Sequence, residues 1–225
     1  MSLPETIAYR WLRYDAAQEA AWRAWLSAEE QQRLERFRSF YRKRSFLTGR
    51  AAVRQLLAQQ LGVTPGQVPL VAQPDEPLQV LGEDVYVSLA HADDWALAAT
   101  APYPIGVDLE RLRPRSPELC RHVLHPEEYP LLETFGKTAA EAIVWLWALK
   151  EAALKGAGLG LRCWPRRLRL ELVGATCGWV QLPNGQRWAV AAGLREGYVW
   201  AIAWPALGLD SLSNQHHVNH GIGHF

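Results

Sequence analysis

The fold is built around Thr138-Ala-Ala-Glu-Ala-Ile-Val-Trp-Leu-Trp-Ala-Leu-Lys-Glu-Ala-Ala-Leu-Lys-Gly-Ala-Gly-Leu-Gly160, which predicts one long helix. Thr138 with Glu141 three residues later predicts a capping box at its start, and the closing glycines predict its end. Apolar residues cover much of its circumference, so we expect the helix to be largely buried. It nevertheless carries Lys150, Glu151 and Lys155. A buried carboxylate costs free energy unless a cation lies beside it, so Glu151 is the first sign of a functional site.

The bulk composition is that of an ordinary globular domain. The chain has 225 residues, of which 49% are hydrophobic and 21% are charged, and its net charge is +1. This balance favours neither nucleic acid nor a membrane surface as a partner. No apolar run approaches the ~20 residues that span a bilayer. Three cysteines without a CxxC spacing indicate a reducing compartment, and the N-terminus lacks the features of a signal peptide, so we expect a cytoplasmic protein.

A helical pattern followed by strands occurs twice along the chain. Residues 15–100 show helical spacing, including a stretch from about Ser27 to Leu61, followed by strand-like segments. Residues 105–204 repeat this order, with the helix at 138–160 followed by four strand-like segments between residues 168 and 204. We therefore predict an α+β fold of two similar halves, related by a pseudo-two-fold axis, with the active site at their interface.

This rhythm also predicts the domain boundaries. The N-terminal half is expected at residues 1–103, the C-terminal half at residues 104–206, and a disordered tail at residues 207–225. His216 and His220 in the tail are four residues apart and could bind a metal on a helix, but the tail lacks other helical signals, which favours disorder.

Three acidic residues are candidate metal ligands. Asp108 and Glu110 lie two apart in a predicted strand, so their side chains point to the same face. Two neighbouring carboxylates repel unless a cation relieves them, and Glu151 could complete a Mg²⁺ site that leaves positions for substrate phosphates. The alternative is that Asp108 and Glu110 are solvated acids at a strand end, paired with Arg111 and Arg113.

Residues 33–54 are strongly basic, with eight basic residues and one acid, Glu35. Such a segment could bind phosphate, but most charge runs are solvated helix faces. A single-strand nucleic-acid binder is a further alternative, because the chain has eleven tryptophans. These tryptophans fall largely at apolar-periodic positions, which favours a place in the core.

Three motifs together resemble those of Sfp-type 4′-phosphopantetheinyl transferases. Gly106-Val-Asp-Leu-Glu110 is similar to the family's Gly-(Ile/Val)-Asp-x-Glu, and Trp147-Ala-Leu-Lys-Glu-Ala-Ala-Leu-Lys155 to its Trp-x-x-Lys-Glu-x-x-x-Lys. Ser88-Leu-Ala-His91 resembles the histidine-containing turn of the family. The resemblance extends from about Ser27 to Trp204.

The resemblance implies a role for each matching residue. Asp108, Glu110 and Glu151 match the family's Mg²⁺ ligands, and Glu151 also matches the residue that accepts the proton of the attacking serine. Lys150 and Lys155 match residues near the diphosphate, where they would offset charge as the bond to phosphorus breaks. The remaining matches are coenzyme A contacts: His91 and Ser88 in the turn, and Arg33, Arg36, Arg44 and Arg50 in the basic segment.

The implied function is a transfer of 4′-phosphopantetheine from coenzyme A to a serine of an apo acyl or peptidyl carrier protein, with release of 3′,5′-adenosine bisphosphate. The implied partners are coenzyme A and the carrier, and a monomer is expected because both halves lie in one chain. Two departures put the coenzyme A contacts in doubt: Ala90 stands where the family commonly has a serine, and Glu76 where it often has a lysine. A small-diphosphate hydrolase and a non-catalytic binding module remain alternatives.

Overall fold

Two antiparallel sheets lie face to face at the centre of the molecule, and a long helix covers the outer face of each. The computed structural model describes residues 2–72, 77–133 and 138–206. Within them the α-helices are α1 (Glu19–Ala24), α2 (Ala28–Arg36), α3 (Phe40–Leu61), α4 (Pro117–Val123) and α5 (Ala139–Gly156). The strands are β1 (Ala8–Arg13), β2 (Leu70–Val71), β3 (Gln79–Val80), β4 (Tyr86–Ala92), β5 (Trp95–Ala101), β6 (Gly106–Arg111), β7 (Arg169–Gly174), β8 (Cys177–Gln181), β9 (Arg187–Arg195) and β10 (Tyr198–Pro205).

The strands form one three-stranded sheet in the order β1-β5-β4 and one five-stranded sheet in the order β6-β10-β9-β8-β7. Strands β2 and β3 pair separately. The predicted α+β class, with both helices and sheets, is therefore confirmed. The pseudo-two-fold relation and the boundary at residue 103 stay predictions, and the predicted tail at 207–225 lies outside the described residues.

Along the central strands, successive side chains alternate between the two faces of the sheet, and this alternation produces the layers of the core. In β5, Ala96 and Ala98 pack in the core under α3, whereas Leu97 and Ala99 pack in the core between the two sheets. Successive side chains of a strand point to opposite faces, so a strand buried on both faces contributes to two cores.

The second sheet is arranged in the same way. In β10, Val199 and Ala201 pack against α5, and Ile202 and Trp204 pack between the sheets. In β6, Val107 and Leu109 also face the core between the sheets. The side chain of Asp108, between them, is therefore on the face towards α5.

The helix boundaries depart from the sequence pattern in two places. The helical stretch from Ser27 is two helices, α2 and α3, because residues 37–39 are extended and Ser39 caps a new helix. The capping box predicted at Ser27 and Glu30 is present, whereas Thr138 starts α5 without a side-chain capping bond. In the described ranges, none of the helices combines the length and apolar character needed to cross a membrane.

A glycine lets β6 approach α5 very closely. A Cβ built on Gly106 would lie 1.9 Å from the carbonyl oxygen of Ala152 and 2.3 Å from the backbone nitrogen of Gly156. Both neighbours are backbone atoms, which cannot move aside as a flexible side chain can. The absence of a side chain at Gly106 therefore brings β6, with Asp108, against the helix that carries Glu151.

Substitution of this glycine is expected to damage the fold. Gly106→Ala should lower the free energy of unfolding by about 1–3 kcal/mol or more, because strand and helix must separate to admit the methyl group. Gly66→Ala is the matched control, since a Cβ there meets only atoms of Trp25 at 3.7 Å and beyond. Urea denaturation of the two variants measures the difference. Equal stability of both would contradict the close approach.

Candidate active site

Asp108 is the most buried acid of the predicted site. Its side chain lies on the α5 face of β6, and its residue exposure is 5%. Lys155 Nζ donates to Asp108 Oδ1 at 2.7 Å. The other oxygen, Oδ2, is buried and has no hydrogen-bond partner among the described residues. A buried unpaired carboxylate oxygen is costly, so this atom can accept a further ligand.

Glu151 lies one helical turn before Lys155 on α5 and is half-buried. Burial, helped by the carboxylates of Asp108 and Glu110 and opposed by Lys155, raises the pKa of Glu151 to about 7. Glu151 therefore feels the charge of both strand acids. Asp108, Glu110 and Glu151, the three acids singled out in the sequence, are thus near enough to act on one another electrostatically.

Glu110 lies two residues beyond Asp108 and is also half-buried. Burial raises the pKa of Glu110, and the Asp108 carboxylate adds to the effect, whereas Arg115 lowers it. Arg115 donates to Glu110 Oε2 at 2.6 Å. Glu110 is therefore paired with Arg115. The alternative of solvated acids at a strand end predicts pairs with Arg111 and Arg113 instead.

A cleft of ≈ 880 Å³ opens at Lys155, the partner of Asp108. Lys155, Gly156 and Gly158 line it from the end of α5, and Ser88 lines it from β4. Ser88 Oγ accepts a hydrogen bond from the backbone nitrogen of Val107 at 3.0 Å, which joins β4 to β6. The cleft thus lies where strands of the two sheets meet.

His91 lies at a second cavity, of ≈ 350 Å³, which is also lined by Glu110, Arg113 and Trp147. Desolvation by the surrounding protein lowers the pKa of His91, and the charge of Lys155 adds to the effect. The imidazole is therefore largely neutral at pH 7 and can offer one donor and one acceptor. The buried side chain of Ala90, where the sequence departs from the motif, packs between the sheets.

The structure separates the four arginines predicted near the nucleotide. Arg33 and Arg50 line the larger cleft. Arg36 lines a different cavity, beside α1 and α2. Arg44 forms an ion pair with Asp94 at 2.7 Å. The break between α2 and α3 changes the direction of the helical faces, so the basic segment does not present one continuous surface. Position 76, the other departure, lies outside the described residues.

The position predicted for Lys150 near the phosphates is wrong. Its side chain is 0% exposed. It forms an ion pair with Glu128 and donates to the carbonyl oxygens of Val123, Pro165 and Leu168 at 2.9–3.1 Å. A lysine has three donor hydrogens, and these partners account for them. Lys150 therefore fastens α5 to its surroundings.

Glu128 was missed in the sequence, although it is part of this arrangement. Its Oε1 accepts from the backbone nitrogen of Leu170 at 2.6 Å, and its Oε2 accepts from that of His125 at 2.8 Å. One signal could have found it: a lysine on the buried face of a largely apolar helix needs an acid nearby. The sequence does not say which acid, because Glu128 precedes Lys150 by 22 positions.

The chemistry of the three acids fits a divalent cation. The unpartnered Asp108 Oδ2 and the raised pKa of Glu151 both mark negative charge that the protein does not neutralise. Among the residues that the structure describes, no three acids, histidines or cysteines are grouped closely enough to form a complete metal site. A cation held here would need other ligands, such as water or substrate oxygens.

Part of the chain is similar in sequence to a family of known proteins. Residues 104–203, which run from just before β6 into β10, match the model of the 4′-phosphopantetheinyl transferase superfamily. The chain is 35% identical to the 4′-phosphopantetheinyl transferase HetI of Nostoc sp. over 147 residues, which is 61% of this chain and 62% of that protein.

Two further relatives show the same pattern. A putative 4′-phosphopantetheinyl transferase of Synechocystis sp. is 32% identical over 147 residues, or 62% of this chain and 60% of that protein. The 4′-phosphopantetheinyl transferase Sfp of Bacillus subtilis is 28% identical over 156 residues, or 60% of this chain and 67% of that protein. The chain thus spans less than two thirds of the length of the first two of these relatives.

Proposed function

We propose that this chain, whose residues 104–203 match the model of the 4′-phosphopantetheinyl transferase superfamily, is a member of that family. In this proposal it transfers 4′-phosphopantetheine from coenzyme A to a serine of an apo acyl or peptidyl carrier protein. The reaction breaks the diphosphate of coenzyme A and releases 3′,5′-adenosine bisphosphate. The serine oxygen forms the new bond to phosphorus, and its proton passes to the solvent through a base.

One observation carries this proposal. Lys155, which pairs with Asp108, lines a cleft of ≈ 880 Å³ whose wall also includes Arg33 and Arg50. The carboxylates of Glu110 and Glu151 both feel the charges of Asp108 and Lys155. Cations at the wall suit a donor with several phosphates, and the acids suit a cation and a proton acceptor. A cavity of this size accommodates a nucleotide-sized ligand.

Each residue near the acids has a task in this proposal. Lys155, already beside Asp108, would neutralise charge that develops on the departing diphosphate. Glu151 would accept the serine proton, since its raised pKa places it close to the pH at which a general base is most effective. Ser88 retains a hydroxyl hydrogen for a phosphate oxygen, because its Oγ accepts from Val107. His91 would donate to a second phosphate oxygen.

A Mg²⁺ ion would be held by Asp108, Glu110 and Glu151 in this proposal. When bound, the ion would supply neutralisation of the diphosphate and fix the line of attack. The chain's own contribution is to present the carboxylates together: β6 places the first two on one face, and the close approach at Gly106 brings α5 with the third.

A carrier-labelling assay tests the function. The protein is incubated with coenzyme A, Mg²⁺ and each of several apo carrier proteins, and the carrier is then weighed by mass spectrometry. We expect one 4′-phosphopantetheine adduct per carrier, dependent on Mg²⁺ and absent with EDTA. No adduct on any carrier would overturn the proposal.

The same assay separates the alternatives. Release of 3′,5′-adenosine bisphosphate without a carrier would indicate a diphosphate hydrolase. Binding of coenzyme A without turnover would indicate a non-catalytic binding module. We also expect a monomer, since parts of α3, β4 and α5 of one chain line the cleft; sedimentation at the mass of one chain would support this expectation. A cytoplasmic location stays an expectation from the sequence.

A further inference from the structure

Glu30 is a buried acid outside the set that the sequence singled out. It lies on α2 with an exposure of 4%, and two arginines of α3 share its carboxylate. Arg50 Nε lies 2.7 Å from Oε1, and an amino group of Arg54 lies 2.7 Å from Oε2. Both arginines are themselves buried, with exposures of 7% and 2%. The three charges form one triad between the two helices.

The two arginines use their donors differently. Arg54 donates to Glu30 and to the backbone carbonyls of Pro65 and Val68, so its guanidinium is directed into the protein. Arg50 forms an ion pair with Glu30 through its Nε, and its terminal amino groups have no hydrogen bond to an acceptor in the described parts of the chain. Arg50 lines the larger cleft, whereas Arg54 does not.

A second guanidinium lies close to that of Arg50. Arg33 also lines the cleft, and both groups lie over the ring of Phe46, at 5.7 Å for Arg33 and 4.8 Å for Arg50. The Glu30 carboxylate pairs with two guanidinium groups, and that of Arg33 lies over the same ring as Arg50. The surplus positive charge is concentrated at the cleft wall, where an anion can neutralise it.

We propose that Glu30 is a positioning residue that holds Arg50 at the cleft wall, so that Arg50 and Arg33 bind a phosphomonoester dianion of the donor. This inference rests on the proposed function, in which the donor is coenzyme A and the dianion is its 3′-phosphate. A guanidinium whose Nε is fixed presents its two amino groups as a fork that matches two phosphate oxygens. Glu30 thus determines how strongly the protein prefers a donor with this phosphate.

The preference is measured with two donors that differ only in the 3′-phosphate. We expect the KM for 3′-dephospho-coenzyme A to exceed that for coenzyme A by about 10-fold or more in the wild-type protein, since hydrogen bonds between charged groups are strong. Glu30→Gln should reduce this ratio by about fivefold or more, while kcat with saturating coenzyme A stays within about twofold. A merely structural role for Glu30 would not change the ratio between two donors.

The substitution is chosen to preserve the helix cap. Glu30 also accepts from the backbone nitrogen of Ser27, and a glutamine can make the same bond. Glu35→Gln is the matched control, because it makes the same chemical change on the same helix at a residue paired with Lys43 and Arg23 and absent from the cleft. Its donor ratio should equal that of the wild type.

Stability is controlled with a double variant. Glu30→Gln leaves two buried guanidinium groups without an acid, so circular dichroism must show that it folds. If it does not, Glu30→Gln with Arg54→Met removes one of the two cations while Arg50 still lacks its partner. A folded single or double variant with an unchanged donor ratio would overturn the proposal.

Calorimetric binding separates this inference from the transfer activity. Adenosine 3′,5′-bisphosphate should bind at least about 10-fold more tightly than adenosine 5′-monophosphate to the wild-type protein, and the difference should shrink in the Glu30→Gln variant. This measurement needs no carrier. A preference for the bisphosphate without carrier labelling would leave the subsite standing and refute the transferase, whereas labelling with no preference would refute the subsite alone.

Discussion

Glu151→Gln should lower the rate of carrier labelling by about 10²–10⁴-fold, the contribution of a general base, and by more if the carboxylate also binds the cation. Glutamine keeps the size of the side chain but can neither accept the proton nor supply negative charge. The fold should survive, because burial and the two neighbouring acids already raise the pKa of Glu151 to about 7, so its charge is not favoured there. Removal of its charge relieves repulsion, so the variant should be at least as stable as the wild type.

The matched control for this prediction is Glu141→Gln. It makes the same change in the first turn of the same helix, away from both cavities. Its labelling rate should stay within about twofold of the wild type, as for most substitutions remote from a site. Labelling rates are compared by mass spectrometry under saturating coenzyme A and carrier. Near-normal labelling by Glu151→Gln would mean that the centre of the site lies elsewhere.

Lys150→Met should lower the free energy of unfolding by about 3–5 kcal/mol, the cost of leaving one partner of a buried ion pair alone. The substitution leaves the buried Glu128 carboxylate without its cation and three carbonyl oxygens without their donor. Lys43→Met is the control. It breaks an ion pair with Glu35, whose side chain is 65% exposed, and such surface pairs contribute about 0–1 kcal/mol.

A double-mutant cycle tests the pairing itself. Lys150→Met combined with Glu128→Gln removes both charges, so its loss of stability should be smaller than the sum of the two single losses. Because Lys150 lines neither cavity, the KM for coenzyme A of the folded double variant should stay close to the wild-type value. A small loss of stability with a strongly raised KM would instead place the ammonium at the donor.

The acids at the centre of the site were predictable from local rules. Asp108 and Glu110 share a face because strand side chains alternate, and Glu151 stands out because a carboxylate on an apolar helix needs a reason. These rules operate within a few residues of chain. The structure agrees that the three charges act on one another, while their roles as ligands and base stay predictions.

The basic residues were less predictable, because their environment depends on distant parts of the chain. Arg44 and Arg50 belong to one helix, yet Asp94 of the β4–β5 turn pairs with the first and Glu30 of α2 with the second. The sequence pattern predicts one helical stretch that continues through residues 37–39. The chain is extended there, so the faces of α3 are not aligned with those of α2. A motif position shared with a family therefore did not decide which arginines reach the cleft.

Local sequence alone settled the type of each major element and the set of side chains on each face, because both follow from backbone periodicity and from caps and turns only a few residues long. Tertiary packing decided which charged side chains lie close to one another. Lys150 and Glu151 are adjacent in the sequence, but successive residues of a helix point about 100° apart. One ammonium is consequently enclosed with Glu128, while the neighbouring carboxylate lies beside Asp108 and Glu110. Burial and pairing arise from residues far apart in the chain, so no local pattern could distinguish the buried lysine from the one at the cleft, Lys155.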